Sequence, residues 1–127
     1  MYRKGIKGKL DAIFSLFIRV RDKWTCQRCG KKLKKKSRGY HCAHFKRRGI
    51  QSTTWDPKNA SGLCYGCHDY LDHHYQKKVD WYIEKYGKRQ YNEVIKRSNQ
   101  IRKYKEWEII NLIKLYQKGV EDMGYES

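Results

Sequence analysis

The sequence predicts an α+β fold that is mostly helical, in which one short hairpin lies between an N-terminal helix and additional C-terminal helices. Apolar residues recur at helical spacing near both ends of the chain. The stretch from Gly39 to Phe45 mixes aromatic, cysteine and histidine residues without that spacing, and a Cys-x-x-Cys pair lies on each side of it. We interpret residues 1–127 as one domain, with a core over residues 10–87 and a helical extension over residues 88–127.

The first helix is predicted from Leu10 to Arg21, because apolar residues in this stretch share one helical face. The face consists of Leu10, Ile13, Phe14, Phe17 and Ile18. We expect a strand over residues 39–45. A long basic turn and a returning segment should follow over residues 46–58, which hold Gly49 and the only proline, Pro57.

A second helix is predicted to begin after Gly62, to carry His68 and Asp72, and to run on towards Gly87. The last third is helical in pattern, with glycines predicted to end its helices at Gly119 and Gly124. Its two apolar faces are Tyr91, Val94, Ile95, Ser98 and Ile101, and then Trp107, Ile110, Leu112, Ile113 and Tyr116.

The charge of the chain indicates a polyanionic partner. Lysine and arginine number 30 against 13 acidic residues, which gives a formal net charge of +17. Such a surface repels itself unless it meets something polyanionic, and nucleic acid is the first candidate. No apolar run approaches the roughly 18 residues that would span a bilayer, so we expect no membrane partner. Without an export signal we expect a cytoplasmic protein.

The paired cysteines predict a structural Zn²⁺ site. In a reducing compartment, Cys-x-x-Cys spacings are more often metal ligands than disulfides, and four thiolates close a tetrahedral site. The 34 residues between the two pairs exceed the usual zinc-ribbon gap, so an element with its own function should lie between them. The predicted ligands are Cys26, Cys29, Cys64 and Cys67, while the fifth cysteine, Cys42, has no partner pair.

Histidine and asparagine residues in and after this insertion can supply hydrolytic chemistry. Cutting a phosphodiester needs a base for water, a divalent ion for the phosphate oxygens and a group that orients the base. His44, Asn59 and His68 can fill these three roles. His41 lies on the same predicted strand.

These residues resemble a known family. His44, Asn59 and His68 resemble the three namesake residues of the HNH (ββα-metal) nucleases, at similar spacings. The stretch Leu63-Cys64-x-x-Cys67-His68 also resembles the Leu-Cys-x-x-Cys-His stretch of zinc-containing HNH domains. The resemblance implies a zinc-stabilised ββα-metal core and a metal-dependent DNA endonuclease.

A closer resemblance covers roughly residues 10–87 and is to the phage NinG (Rap-like) recombination proteins. It implies structure-selective cutting of branched recombination intermediates such as Holliday junctions and flaps. A homodimer would supply the two active sites that symmetrical cutting of a four-way junction requires. The resemblance is carried by Phe14-Ser15-x-x-Ile18-Arg19-x-Arg21-Asp22, Cys26-x-x-Cys29-Gly30, His41-Cys42-Ala43-His44-Phe45 and Trp55-Asp56-x-x-Asn59.

By this resemblance His44 is the general base, Asn59 orders the hairpin across from it, and His68 ligates a catalytic Mg²⁺, Mn²⁺ or other transition ion. Many HNH nucleases carry an acidic metal ligand immediately before the base, and this chain has Ala43 there. We expect His41 to replace that ligand, with Asp72 ranked second.

Three basic residues follow the predicted base, and we expect them to clamp DNA phosphates beside the scissile bond. They are Lys46, Arg47 and Arg48. Two other interpretations stay open. One is a non-catalytic zinc-ribbon protein that binds DNA, and the other is a sequence-specific restriction or homing nuclease of the same class. His73 and His74 are interpreted as solvated or DNA-facing rather than as ligands.

Overall fold

The computed structural model describes residues 5–125. Its fold is α+β and mostly helical, as predicted, with one two-stranded sheet. In that part of the chain no helix combines the length and the apolar character that crossing a membrane requires. The helices are α1 (Gly5–Arg21), α2 (Gln51–Thr54), α3 (Tyr65–Asp72), α4 (Tyr75–Tyr86), α5 (Lys88–Ser98) and α6 (Glu106–Asp122). The strands are β1 (Tyr40–His44) and β2 (Ala60–Cys64), and a 3-10 turn, Pro57–Asn59, precedes β2.

The two strands pair in an antiparallel hairpin, and α3 begins at the residue after β2. Tyr40 lies opposite Cys64, and His44 lies opposite Ala60. The loop between the strands contains α2 and the 3-10 turn. The chain therefore runs strand, loop, strand and helix, which brings the second cysteine pair back beside the first.

Helices α1 and α6 pack together over one side of the hairpin. The shared apolar cluster consists of Leu10, Phe14, Ile18, Trp55, Ala60, Ile109 and Tyr116. The Tyr116 hydroxyl also donates to the Trp55 carbonyl at 2.6 Å. The C-terminal helix therefore contributes to the core that supports the hairpin.

An ion pair at the end of α1 fixes this helix to β2. The Arg21 guanidinium contacts the Asp22 carboxylate at 2.9 Å and donates to the carbonyl oxygens of Pro57 and Ala60, both at 2.8 Å. Asp22 accepts the Gly62 N–H at 2.7 Å. Burial opposes a charged Arg21, but its bond to Asp22 raises the guanidinium pKa. These residues thus position the hairpin.

The predicted second helix was wrong in two respects. Leu63 and Cys64, placed at its start, are the last residues of β2 (Ala60–Cys64), because four of the five residues of this strand are buried without helical periodicity. The helix also breaks at residues 73–74. The ring nitrogens of His73 and His74 lie 2.8 and 2.7 Å from the carbonyl oxygens four residues earlier, and His74 has non-helical dihedral angles. These side-chain bonds compete with helix continuation.

Three C-terminal predictions were also wrong. Ile101 lies beyond the end of α5 and is 96% exposed. Trp107 and Ile110 are exposed, because α6 turns Ile109 towards α1 instead. Gly119 lies inside α6 and does not end it. A Cβ at this position would overlap the ring of Phe17, so the glycine permits close packing of α6 against α1. The first helix is also longer than predicted, since it begins at Gly5.

Replacing Gly62 with alanine is expected to destabilise the hairpin. A Cβ at this position would overlap the Tyr40 ring and hydroxyl, which bonds the Thr25 carbonyl at 2.8 Å. Overpacking of this kind costs about 1 to 3 kcal/mol. We expect Gly62→Ala to lower the free energy of unfolding by this amount in a urea titration. Gly66→Ala, in α3 with open space around it, should be neutral or stabilising.

Candidate metal centre and adjoining cleft

The four predicted zinc ligands converge. The Sγ atoms of Cys26, Cys29, Cys64 and Cys67 lie within 4.8 Å of one another. Two ligands come from a turn after α1, one from the end of β2 and one from the first turn of α3. In residues 5–125 this is the one set of three or more histidine, cysteine or acidic side chains close enough to hold an ion. Four thiolates suit tetrahedral zinc.

The surroundings favour a thiolate at Cys26, whereas burial raises the pKa of the Cys67 thiol to about 12. Burial opposes ionisation of Cys26, but N–H groups of Cys29, Cys64 and Arg28 outweigh it and lower the pKa of this thiol to about 7. The Arg28 guanidinium also donates to Cys67 Sγ at 3.4 Å. The site is packed beneath by Ala43, Leu63 and Leu71. The cluster therefore joins β1, β2 and α3 into one unit.

A cleft of about 680 Å³ opens beside this unit, between the hairpin loop and helices α3 and α4. It brings His44 from the end of β1 and His68 and Asp72 from α3 to one surface. Its remaining walls are apolar or cationic. They include Cys42, Phe45, Lys46, Arg47, Arg48, Ile50, Tyr75 and Lys78.

The ring of His44 is oriented by a backbone carbonyl. Its Nε2 lies 2.8 Å from the Thr54 oxygen, and its ring packs against Phe14 with centroids 5.8 Å apart. Because a carbonyl only accepts, Nε2 carries the proton in the neutral ring, and Nδ1 carries the lone pair. Burial lowers the pKa of His44. The neutral ring, which can accept a proton, is therefore the dominant form at neutral pH.

Asn59 is fully buried and fixes the loop around His44. Its Oδ1 accepts the Lys46 N–H at 2.7 Å, and its Nδ2 donates to the carbonyls of Lys46 and Thr53, both at 3.0 Å. Thr53 precedes the residue whose carbonyl holds His44. Asn59 thus fixes the backbone segments that follow His44 and precede Thr54.

His41 and His68 face each other through their Nδ1 atoms, 2.8 Å apart. The Nε2 of His41 lies 3.0 Å from the Arg38 carbonyl, and that of His68 lies 3.2 Å from the Asp72 carboxylate. Each Nε2 therefore has an acceptor for its proton, which leaves both Nδ1 lone pairs directed at each other when the rings are neutral. Burial lowers the pKa of His68, with Asp72 opposing that effect, so the neutral ring is favoured.

Ala43, which immediately precedes His44, is 5% exposed and packs among Cys26, Leu63 and Leu71. A carboxylate there would be buried beneath the cysteine cluster, at a large desolvation cost.

Two features of the cleft were missed by sequence reasoning. Lys78 comes from α4, its side chain is 14% exposed, and its Nζ lies 3.0 Å from Asp72 Oδ1. The second is the Thr54 carbonyl that orients His44. In an unbroken helix, residues six apart do not share a face, so Lys78 was not expected beside Asp72. The Thr54 oxygen belongs to the backbone, and no side-chain motif marks a backbone carbonyl.

The three predicted phosphate-binding residues all line the cleft, but they differ in ion pairing and in exposure. Arg48 is paired with Asp11 at 3.0 Å, and Asp11 also accepts the Trp55 ring N–H at 2.8 Å. Arg47 is exposed, while Lys46 is half-buried.

Searches against protein families, curated proteins and solved structures returned no match.

Removing the Asn59 side chain is expected to destabilise the loop. Asn59→Ala leaves a buried N–H and two carbonyls without their partner, which should lower the free energy of unfolding by about 2 to 4 kcal/mol. Urea unfolding followed by circular dichroism measures it. The matched control is Asn92→Ala on the exposed face of α5, which should cost less than about 0.5 kcal/mol. Equal midpoints for the two variants would refute the structural role of Asn59.

Proposed function

We propose that the protein is a metal-dependent DNA endonuclease of the HNH (ββα-metal) class. One observation carries the proposal: a carbonyl-oriented histidine, His44, lines the same cationic cleft as a second histidine, His68, that has a carboxylate partner. Hydrolysis of a phosphodiester needs these two environments side by side, one for a proton and one for a cation. The structure-selective action on branched recombination intermediates rests on the sequence resemblance.

In the proposed reaction His44 takes a proton from the attacking water through Nδ1. The Thr54 carbonyl holds the opposite nitrogen and keeps the ring in that tautomer. Asn59 is a positioning residue, since it holds the backbone next to Thr54 and after His44. Arg47 and Lys46 bind the phosphates that flank the scissile bond.

The histidine pair fits a divalent ion. His41 and His68 would hold it through their facing Nδ1 atoms, which supports His41 as the replacement for the absent acidic ligand. Asp72 and Lys78 then act behind His68: the carboxylate accepts its Nε2–H, as carboxylates do behind metal-binding histidines, and the lysine balances the carboxylate. The ion would supply positive charge to the phosphate oxygens. Two imidazoles favour a transition ion such as Mn²⁺ over Mg²⁺.

A second candidate function, DNA binding without cutting, is favoured by one observation. The 2.8 Å contact between the Nδ1 atoms of His41 and His68 is also satisfied by a proton shared between the two rings, without any metal ion. In that case the cleft only binds phosphates, and the cysteine cluster makes the protein a zinc-stabilised DNA-binding module.

A cleavage assay separates the two functions. Zinc-loaded protein is incubated with end-labelled four-way junction, flap, single-stranded and duplex DNA, with Mn²⁺, with Mg²⁺ or with neither. We expect cutting that depends on the added ion, is faster with Mn²⁺, and is strongest on branched DNA. Binding to the same substrates without products under all conditions would favour the second function.

A further inference from the structure

The basic residues of this chain are distributed unevenly, and the cleft accounts for only some of them. Residues 23–55 contain no aspartate or glutamate. The same segment carries Lys23, Arg28, Lys31, Lys32, Lys34, Lys35, Lys36, Arg38, Lys46, Arg47 and Arg48. The last three line the cleft after β1, whereas the others precede β1.

Five of these lysines lie within the six residues 31–36, which we call the lysine loop. All five side chains are exposed. Among residues 5–125, no carboxylate lies within ion-pair distance of any of them, whereas Arg48, Arg97 and Arg102 each pair with an acid. The lysine loop therefore presents positive charge that no neighbouring acid in this part of the chain neutralises.

The loop has a defined shape. Its backbone bonds back to the first cysteine knuckle, with the Cys26 N–H donating to Lys31 at 2.8 Å and the Leu33 N–H donating to Trp24 at 2.8 Å. Lys23 and Trp24 both have positive φ angles, 58° and 55°, which residues other than glycine rarely adopt. Trp24 is only 5% exposed, so packing maintains this conformation. The backbone at the start of the lysine loop is thus held against the cysteine cluster.

Three lysines surround one concave surface. Lys23, Lys32 and Lys35 line a cavity of about 280 Å³ whose wall includes Trp24 and Tyr125. Lys35 Nζ lies 5.9 Å from the centre of the Tyr125 ring. A concave surface with ammonium groups at its rim and apolar side chains inside suits a phosphate chain and the sugars attached to it.

This cavity and the cleft use basic residues from opposite ends of β1. The strand spans Tyr40–His44, a length of about 15 Å at about 3.3 Å per residue. A turn of duplex DNA rises about 34 Å, which is longer than this strand.

We infer that the lysine loop, together with Lys23, is a second DNA-contact surface that binds backbone phosphates away from the scissile bond. The inference rests on the proposed function only for the choice of DNA as the polyanion. Phosphate contacts of this kind release counterions, so each one contributes about 0.9 to the slope of log affinity against log salt concentration.

The test compares two triple variants in a His44→Ala background, with zinc bound and no other divalent ion added. One variant is Lys23→Gln, Lys32→Gln and Lys35→Gln. The matched control removes three exposed lysines elsewhere that make no ion pair among the described residues: Lys85→Gln, Lys103→Gln and Lys114→Gln. Binding of fluorescein-labelled duplex DNA is measured by anisotropy between about 50 and 200 mM KCl, and thermal melts verify that both variants fold.

The loop variant is expected to reduce the magnitude of the slope of log affinity against log salt concentration by about 2 to 3. The control should reduce it by less than about 1. Equal changes in the two variants, or none in either, would overturn the inference. Since no cutting is measured, the outcome does not depend on the proposed activity. In a cleavage-competent background, loss of these remote contacts should raise KM and leave kcat unchanged.

Discussion

His44→Ala is expected to lower the single-turnover rate of DNA cleavage by at least about 100-fold, the usual contribution of a general base. The side chain contacts the Thr54 carbonyl and the Phe14 ring, and it makes no bond to the cysteine cluster. The zinc site and the basic walls of the cleft should therefore persist. We expect DNA affinity to change by less than about threefold, since a neutral imidazole adds little to phosphate binding.

The control for this variant is Gln76→Ala. Gln76 bonds the Asp80 carboxylate on the exposed side of α4 and does not line the cleft. Its removal should leave the cleavage rate within about twofold. Equal rates for His44→Ala and wild-type protein, both with verified zinc content, would exclude His44 as the base.

Loss of the zinc site is expected to have the largest effect on stability. Cys67→Ser removes one of four ligands that join the turn after α1, the end of β2 and the start of α3. Structural zinc contributes folding free energy directly, on the order of 10 kcal/mol in small zinc domains. That exceeds the net stability of many domains of this size. We therefore expect the variant to bind less than about 0.2 zinc per chain and to lose its cooperative thermal transition.

Cys42→Ala is the matched control, because Cys42 lies on β1 outside the cluster. Burial raises the pKa of this thiol to about 12, and its Sγ is not among the four that converge. The control should retain one zinc per chain by elemental analysis and should cost about 1 kcal/mol of stability. A cooperative, fully folded Cys67→Ser protein without zinc would contradict the structural role of the site.

Much of this arrangement follows from patterns that sequence reveals directly. The spacing of the two cysteine pairs specifies four ligands and an inserted element, and the convergence of their Sγ atoms agrees with that prediction. The amphipathic face of α1 is similarly visible, because Leu10, Phe14 and Ile18 recur at helical intervals and are all buried. Local periodicity and ligand spacing are properties of the chain itself.

Other features depend on tertiary contacts that no local pattern encodes. The break between α3 and α4 arises from side-chain bonds of His73 and His74, and it brings Lys78 to Asp72. The partner of His44 is a backbone oxygen, which has no sequence signature. Gly119 was misread because a glycine that admits a neighbouring ring looks the same in sequence as one that ends a helix.

The ring orientations of His41 and His68 also depend on tertiary structure. His41 and Asp72 were both predicted as candidates for a second metal ligand, with His41 ranked first. In the structure the Nδ1 atoms of His41 and His68 face each other, whereas Asp72 contacts the Nε2 of His68. Spacing along the chain suggested this ranking, but it does not provide the orientation of either ring.

The most direct test of the proposed activity is the single-turnover rate of four-way junction cleavage by zinc-loaded wild-type protein as Mn²⁺ is titrated. We expect no product without the ion, a rate that rises and saturates with it, and loss of that rate in His44→Ala. A protein that binds the junction and holds its zinc, yet yields no product at any Mn²⁺ concentration, would contradict the assignment of the cleft as a nuclease active site.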